Sequence, residues 1–448
     1  MPSLTPLHET YCKWDHTPPS QADVLEGISQ LVSTPLNDAV RDIIQTVQGE
    51  IAVNVLGLSL YKMQQLQKKT YIQKFYRISF DSLQNYGHYF IAPGLRHIIA
   101  KFPKLHNKPL TPKQHLFLGA LNGILGDYLL EKHNPIGLPM TLYDHYGCLQ
   151  HGELTGHIVI FIHGLCMTHL DWSHQQYGDI GEKLLAQRDH NTMLYLNYNT
   201  GRRISANGHS LANILENLVL KNPKITEVSL IGHSMGGLVA RSALFYGKQG
   251  IHQWIHHVEN LVCIGSPHHG AMLERFSFNL QDKLGRLPII KIIGQVVNVR
   301  SNGILDLRYG SVRDDDWEHN QARIGSLEDN RKPAPLPSHV NTFFIAGTIE
   351  HKHKNNPTRK VIGDYLVSIK SAFGEHPDPK FYLKVPMSHK AIFYGLNHLE
   401  IQYHPQVAEQ IARWFYPAKT ERESESILEY IIDIDTAKEK ILLDQKHI

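Results

Sequence analysis

One hexapeptide, Gly232-His233-Ser234-Met235-Gly236-Gly237, constrains this chain more than any other stretch. It has the pattern G-x-S-x-G. A strand-like run, Glu227-Val228-Ser229-Leu230-Ile231, leads into it, and a helix-like run, Leu238 to Phe245, leaves it. A serine between a strand and a helix sits on a tight, strained turn. The glycines let the backbone reverse, and the serine hydroxyl projects above the edge of the sheet. The pattern alone is common; its strand-to-helix setting makes it specific.

The rest of the chain is consistent with a globular α/β protein. From residue 155 onward strand and helix patterns alternate. His157 to Ile162 is a short, nearly continuous apolar run, as expected of a strand buried on both faces. Further strands are expected at Thr192–Tyr198, Glu227–Ile231, Glu259–Ile264, Thr342–Ala346 and Phe381–Val385, with helices at Ser205–Leu220, Ser234–Tyr246 and Pro405–Phe415. Such alternation predicts a mostly parallel sheet covered by helices on both sides.

The chain divides near residue 150. Residues 1–150 read as a helical N-terminal extension. Val40, Ile43, Ile44, Val47 and Ile51 follow helical spacing after a capping Asn37-Asp38, and Thr111-Pro112 reads as an N-cap followed by proline in the first helical position. The helix it opens carries Gly119, Gly123 and Gly126, which predicts close packing against another element. Residues 151–420 hold the alternating unit, with a cap insertion at about 271–340. Residues 421–448 form a tail, in which Ile427–Leu443 is expected to be a charged amphipathic helix.

Composition removes several function classes. The chain has 448 residues with 45 Lys+Arg against 42 Asp+Glu, and a net charge of +3 makes no case for nucleic-acid binding. Cys12, Cys148, Cys166 and Cys263 form no C-x-x-C pair. With no signal-like N-terminus, they are expected to be reduced thiols in a cytoplasmic protein. Ile51–Leu60 is too short to span a membrane, and Leu116–Leu130 is broken by Asn122 and Asp127. A peripheral membrane contact and the oligomeric state stay open. No H-E-x-x-H, P-loop or dinucleotide motif occurs, so neither a cofactor nor a metal is expected. His351-Lys352-His353 reads as a solvated loop, and Asp314-Asp315-Asp316 as an exposed or arginine-paired turn. For His268-His269, lining a pocket and packing beside the sheet both stay open.

A serine needs a base to take its proton, and the base needs a carboxylate to orient it. Downstream of Ser234 the chain offers an acid, then a histidine: Asp364, in Gly363-Asp364-Tyr365-Leu366-Val367, and His398, in Asn397-His398-Leu399. Both fall where loops are expected at the carboxyl ends of strands. The backbone N–H of Met235 and that of Leu165, in Ile162-His163-Gly164-Leu165, are the expected donors to an oxyanion.

Three of these stretches together resemble the α/β-hydrolase lipases and esterases: Phe161–Leu165, Ile231–Gly237 and Gly265-Ser266-Pro267-His268-His269-Gly270-Ala271. Within that group the chain is similar to the GPI-inositol deacylase-like branch. The stretch from Gly363 to Ala372 resembles that branch's acid loop, and Asn397-His398-Leu399 with His404-Pro405 its histidine loop. The resemblance covers about residues 155–416. It implies an α/β-hydrolase fold, with Ser234 as nucleophile, Asp364 as acid, His398 as base, and Leu165 with Met235 as oxyanion donors. Two departures stand out: Tyr365 replaces the second glycine of the usual Gly-Asp-Gly, and a basic insertion, His351–Lys360, precedes the loop. The reading is a serine hydrolase of carboxylic esters, lipid-like in character, working through an acyl-enzyme on a small-molecule or lipid substrate. An amidase or thioesterase with the same residues, and a catalytically silent scaffold, remain alternatives. The apolar cluster Ile289, Ile290, Ile292, Ile293, Val296 and Val297 either lines an acyl site or packs the cap against the sheet.

Overall fold

The computed structural model describes residues 17–33, 96–97, 100–101, 103–150, 152–185, 191–271, 301–317, 331–350, 363–416 and 430–433. The helix expected at 40–51, the apolar cluster of 289–297 and the insertion 351–360 lie outside the described residues.

The frame is an eight-stranded sheet. Its strands, with a separate two-residue hairpin as β3 and β4, are β1 (Thr141–Asp144), β2 (Gly156–Ile162), β3 (Ser173–His174), β4 (Gly178–Asp179), β5 (Asn191–Asn197), β6 (Ile225–His233), β7 (Val258–Ile264), β8 (Asn341–Thr348), β9 (Lys390–Tyr394) and β10 (Tyr430–Asp433). The order across the sheet is β1-β5-β2-β6-β7-β8-β9-β10. Only β1 runs antiparallel, against β5; all other neighbours are parallel.

Successive residues of β2 point to opposite faces, and both faces are apolar because both are covered. Ile158, Ile160 and Ile162 join a core with helices α2 (Pro112–Glu131), α4 (Ile204–Lys221) and α5 (Met235–Gln249). Val159 and Phe161 join a second core with α3 (Ile180–Leu185) and α8 (Pro405–Phe415). Of two more helices, α6 (Asn302–Tyr309) packs against α2 and α4 and α7 (Ile369–Ala372) against β8, while α1 (Gln21–Ser33) contributes Val24, Leu25 and Ile28 to the first core.

Helix α2 begins as its sequence predicts. The Thr111 hydroxyl accepts from the N–H of Gln114, and the Gln114 side chain accepts from the N–H of Thr111, which together form a capping box in front of Pro112. The three glycines serve contact. A Cβ at Gly123 would lie 2.3 Å from Cys166 Sγ, and one at Gly126 would lie 1.8 Å from Asn199 Oδ1. Asn199 Nδ2 donates to Gly126 O at 2.8 Å, and Ser301 Oγ to Gly123 O at 2.7 Å. Helix α2 is thus seated directly beneath the loop that follows β2. Asn122, a polar interruption in the sequence, is fully buried and bonds the N–H of Leu138 and the carbonyls of Ile136 and Leu118.

Two expectations are corrected. Phe381–Val385 lies outside the sheet, and the strand is Lys390–Tyr394. The alternation that suggested a strand arises because Phe381, Leu383 and Val385 are buried in turn, while the N–H of Leu383 bonds to the nearby Gly374 O. In the tail, Tyr430–Asp433 pairs in parallel with β9, where a helix was expected over 427–443. Its Tyr-Ile-Ile-Asp run completes the sheet edge, and that pairing outweighs local helical periodicity.

Candidate active site

Strand β6 ends at His233, and α5 begins at Met235. Ser234 between them has φ 52° and ψ −120°, a conformation that disfavours any side chain. Such strain costs on the order of 1–3 kcal/mol and persists only when neighbours enforce it. Here the Ser234 N–H donates to Ile264 O at 2.8 Å, tying the turn to the end of β7. The flanking glycines are needed because backbone meets backbone. A Cβ at Gly232 would come within 2.4 Å of Gly237 N, and one at Gly236 within 2.0 Å of Ile162 O. Ser234 is 4% exposed.

Asp364 follows β8 and His398 follows β9, and the fold brings them together. His398 Nδ1 donates to Asp364 Oδ2 at 2.7 Å, with both side chains buried. The other carboxylate oxygen, Oδ1, accepts the N–H groups of Leu366 at 3.0 Å and Val367 at 2.9 Å. Because Nδ1 carries the ring proton, Nε2 holds the lone pair, and it has no hydrogen-bond partner among the protein atoms. Tyr365 takes φ 80°, the backbone conformation for which glycine is the easy residue, and turns its ring outward at 44% exposure.

The backbone around His398 is anchored twice more. Its N–H donates to Asp364 O at 3.3 Å, and its carbonyl accepts from His233 Nε2 at 2.8 Å. Gly265 backs the pair: a Cβ there would lie 3.3 Å from both Asp364 Oδ2 and His398 Cε1. Sequence reasoning passed over His233, which occupies the unspecified position before the serine. A polar residue at that spot is the only sign it leaves, and nothing local reveals a partner 165 positions away.

The loop after β2 lies against the serine. A Cβ on Gly164 would be 3.1 Å from Ser234 Cβ, and Leu165 is the next residue along the loop. Met235 is the first residue of α5, and its N–H is one of those a helix leaves without an intrahelical acceptor. The loop is held by Tyr198, whose hydroxyl donates to His163 O at 2.8 Å and whose ring stacks on the His163 imidazole. Cys166, with φ 60°, donates its N–H to Thr200 Oγ1. Burial pulls His163 down to about 4, so this histidine is a neutral structural group.

The other candidate acids are engaged elsewhere. Asp306 pairs with Arg203 at 2.6 Å and accepts the N–H of Ile204. Asp314 pairs with His209 at 2.9 Å, Asp315 pairs with Arg313, and Asp316 accepts backbone N–H groups of Val312, Arg313 and Lys332. Among the described residues no group of three or more His, Cys, Asp or Glu side chains is arranged to hold a metal ion. His351-Lys352-His353 lies outside the described residues. His268 and His269 line a small cavity with two arginines. Cys148, Cys166 and Cys263 are unbridged.

Residues 153–376, half of the chain, match the family model described as the PGAP1-like alpha/beta domain. The chain belongs to this family. Its sheet, with helices on both faces and a serine elbow after β6, is an α/β-hydrolase fold. The matched stretch contains Ser234 and Asp364 and stops before His398. Among solved structures, a Bacillus licheniformis lipase aligns at 19% identity over 59% of this chain and 92% of its own, with a TM-score of 0.36. Naproxen esterase from Bacillus subtilis aligns at 12% identity over 58% and 84%, with a TM-score of 0.32. A carboxylesterase, also from Bacillus subtilis, aligns at 13% identity over 62% and 87%, with a TM-score of 0.33. A search of curated proteins finds no match. No helix among the described residues is long and apolar enough to cross a membrane.

Proposed function

We propose that this protein is a serine hydrolase that cleaves carboxylic esters, lipid-like in their acyl part, through an acyl-enzyme. The observation that carries the reading is the 2.7 Å bond from His398 Nδ1 to Asp364, which leaves Nε2 as the basic nitrogen in a protein whose serine elbow is strained in the manner of a nucleophile. In this reading His398 Nε2 takes the Ser234 proton as the hydroxyl oxygen attacks the ester carbonyl. The N–H groups of Leu165 and Met235 stabilise the resulting oxyanion. His398 then returns the proton to the leaving alcohol as the tetrahedral intermediate collapses. Water, deprotonated by the same nitrogen, releases the acid and restores Ser234. Asp364 holds the tautomer and stabilises the imidazolium. The lipid-like part of the reading rests on the apolar sequence cluster at 289–297.

The test is labelling of the purified protein by a fluorophosphonate probe, followed by a p-nitrophenyl ester panel from acetyl to decanoyl. Wild type should be labelled and Ser234→Ala should not, and the rate should rise with acyl length. Equal labelling of the two proteins would reject Ser234 as nucleophile. A folded wild type that neither labels nor turns over any ester would favour a silent scaffold.

A further inference from the structure

A second polar centre lies two turns along α5 from the elbow, about 10 Å down the helix axis. It is a cavity of about 60 Å³ whose lining includes Arg241, His268, Asp316, Arg331, Lys332 and Lys380. A single water needs roughly 10–15 Å³ of such space, so the cavity takes about four to six non-hydrogen atoms.

Its charge is lopsided. Four of those side chains are cations and one is a carboxylate. The carboxylate, Asp316, is already directed at amides: its oxygens accept the N–H of Lys332 at 2.7 Å, Val312 at 3.0 Å and Arg313 at 3.1 Å. Lys380 pairs with Asp378 at 2.9 Å, and with Lys332 it is exposed at the mouth. Arg241 is the exceptional group. It is only 7% exposed, no carboxylate among the described residues is within ion-pair distance of it, and Asp316 stabilises its charge only through space. A charge buried in this way is costly unless it is compensated. Burial pulls its guanidinium down to about 10, a sign of the same imbalance.

Two of the five N–H groups of Arg241 are bonded to protein acceptors. Nη1 donates to His268 Nδ1 at 3.1 Å and Nη2 to Ala334 O at 3.2 Å, while Nε has no acceptor among the protein atoms. A guanidinium can only donate, so His268 Nδ1 must accept, and the imidazole proton is forced onto Nε2. His268 is 1% exposed, and its Nε2 likewise has no protein acceptor. Arg331 steadies the wall, with Nη1 donating to His268 O and Gly310 O. Two buried donors without a protein acceptor in one cationic cavity make a donor set suited to an anion.

We propose that this cavity binds a phosphate-sized oxyanion, either the free ion or the head of a phosphomonoester, through Arg241 and the Nε2–H of His268, with Lys332 and Lys380 at its mouth. The site is separate from the Ser234 centre, and it stands whether or not Ser234 is a nucleophile. Its anion satisfies donors that the fold otherwise leaves unpaired, so occupancy stabilises the native state.

The test is thermal unfolding of the full chain in rising sodium phosphate, with sodium chloride holding ionic strength constant. The proposal expects a saturable rise of several degrees. Arg241→Gln should raise the apparent phosphate Kd at least tenfold. Should that variant fail to fold, the double substitution Lys332→Gln with Lys380→Gln should raise it at least threefold. Absence of a saturable phosphate effect overturns the proposal, as does an unchanged Kd in either folded variant. Competition by glycerol 3-phosphate supports the site with a phosphomonoester as its source. Binding of inorganic phosphate without that competition supports it with the free ion.

Discussion

Replacing Asp364 with asparagine tests the proposed chemistry with little change of shape. Asp364 Oδ1 accepts two backbone N–H groups, from Leu366 and Val367. In the Asp364→Asn variant the amide oxygen must take that position, because an NH2 there would face two donors. Each lost bond would leave a buried N–H unsatisfied at about 1–3 kcal/mol, so two set the orientation by at least about 2 kcal/mol, a factor of about 30. The NH2 then occupies the position of Oδ2, facing His398 Nδ1 at hydrogen-bond distance. A donor there selects the other tautomer, with the proton on Nε2 and no lone pair for Ser234. Loss of the correct tautomer lowers kcat by about 10⁴, equivalent to about 5.5 kcal/mol of barrier. The assay is initial rates on p-nitrophenyl butyrate with wild type and variant, alongside thermal melts. The melts should agree within a few degrees because the loop keeps its hydrogen bonds. A loss below tenfold in a folded variant would refute the assignment of Asp364.

Three further outcomes follow from the packing and the buried histidines. Gly126→Ala would place a Cβ 1.8 Å from Asn199 Oδ1, and the overpacking should cost roughly 1–3 kcal/mol in urea unfolding; a change under about 0.5 kcal/mol would show that α2 can slide. Tyr365→Gly should raise stability by roughly 1 kcal/mol, since it relieves a φ of 80° at a half-exposed side chain, and a lower melting temperature would count against stored strain. Burial holds His163 at about 4 and His169 at about 3, so both are neutral in the folded state while the unfolded chain protonates near 6.5. Stability is therefore complete above pH 6.5 and falls as the pH drops from 6.5 toward 4. His163 alone should account for roughly 2.5 kcal/mol between pH 7 and pH 4.5, which urea titrations at the two pH values would measure.

Where sequence reasoning succeeded, the signal was local. The elbow is legible because Gly232 and Gly236 stand where backbone passes backbone, so a Cβ at either would clash. The N-cap of α2 is legible because Thr111, Pro112 and Gln114 are neighbours. It failed where local patterns compete with distant partners. Phe381–Val385 alternates like a strand, yet its apolar side chains satisfy that pattern by packing outside the sheet. Tyr430–Asp433 sits in a helix-like stretch and pairs with β9, because an open sheet edge offers hydrogen bonds that no local period encodes.

By itself, then, the sequence determined the parallel α/β frame, the serine turn, and the order in which an acid and a histidine follow it. These are properties of contiguous residues, whose periodicity and backbone freedom are written in the chain. Tertiary structure alone decided that His398 meets Asp364 across 34 positions, and that His233 holds the carbonyl of the histidine loop. It alone gathered Arg241, His268 and Arg331 into one cavity. A hydrogen bond depends on distances of a few tenths of an ångström between groups that many residues separate, and only the packed sheet and its loops set those distances.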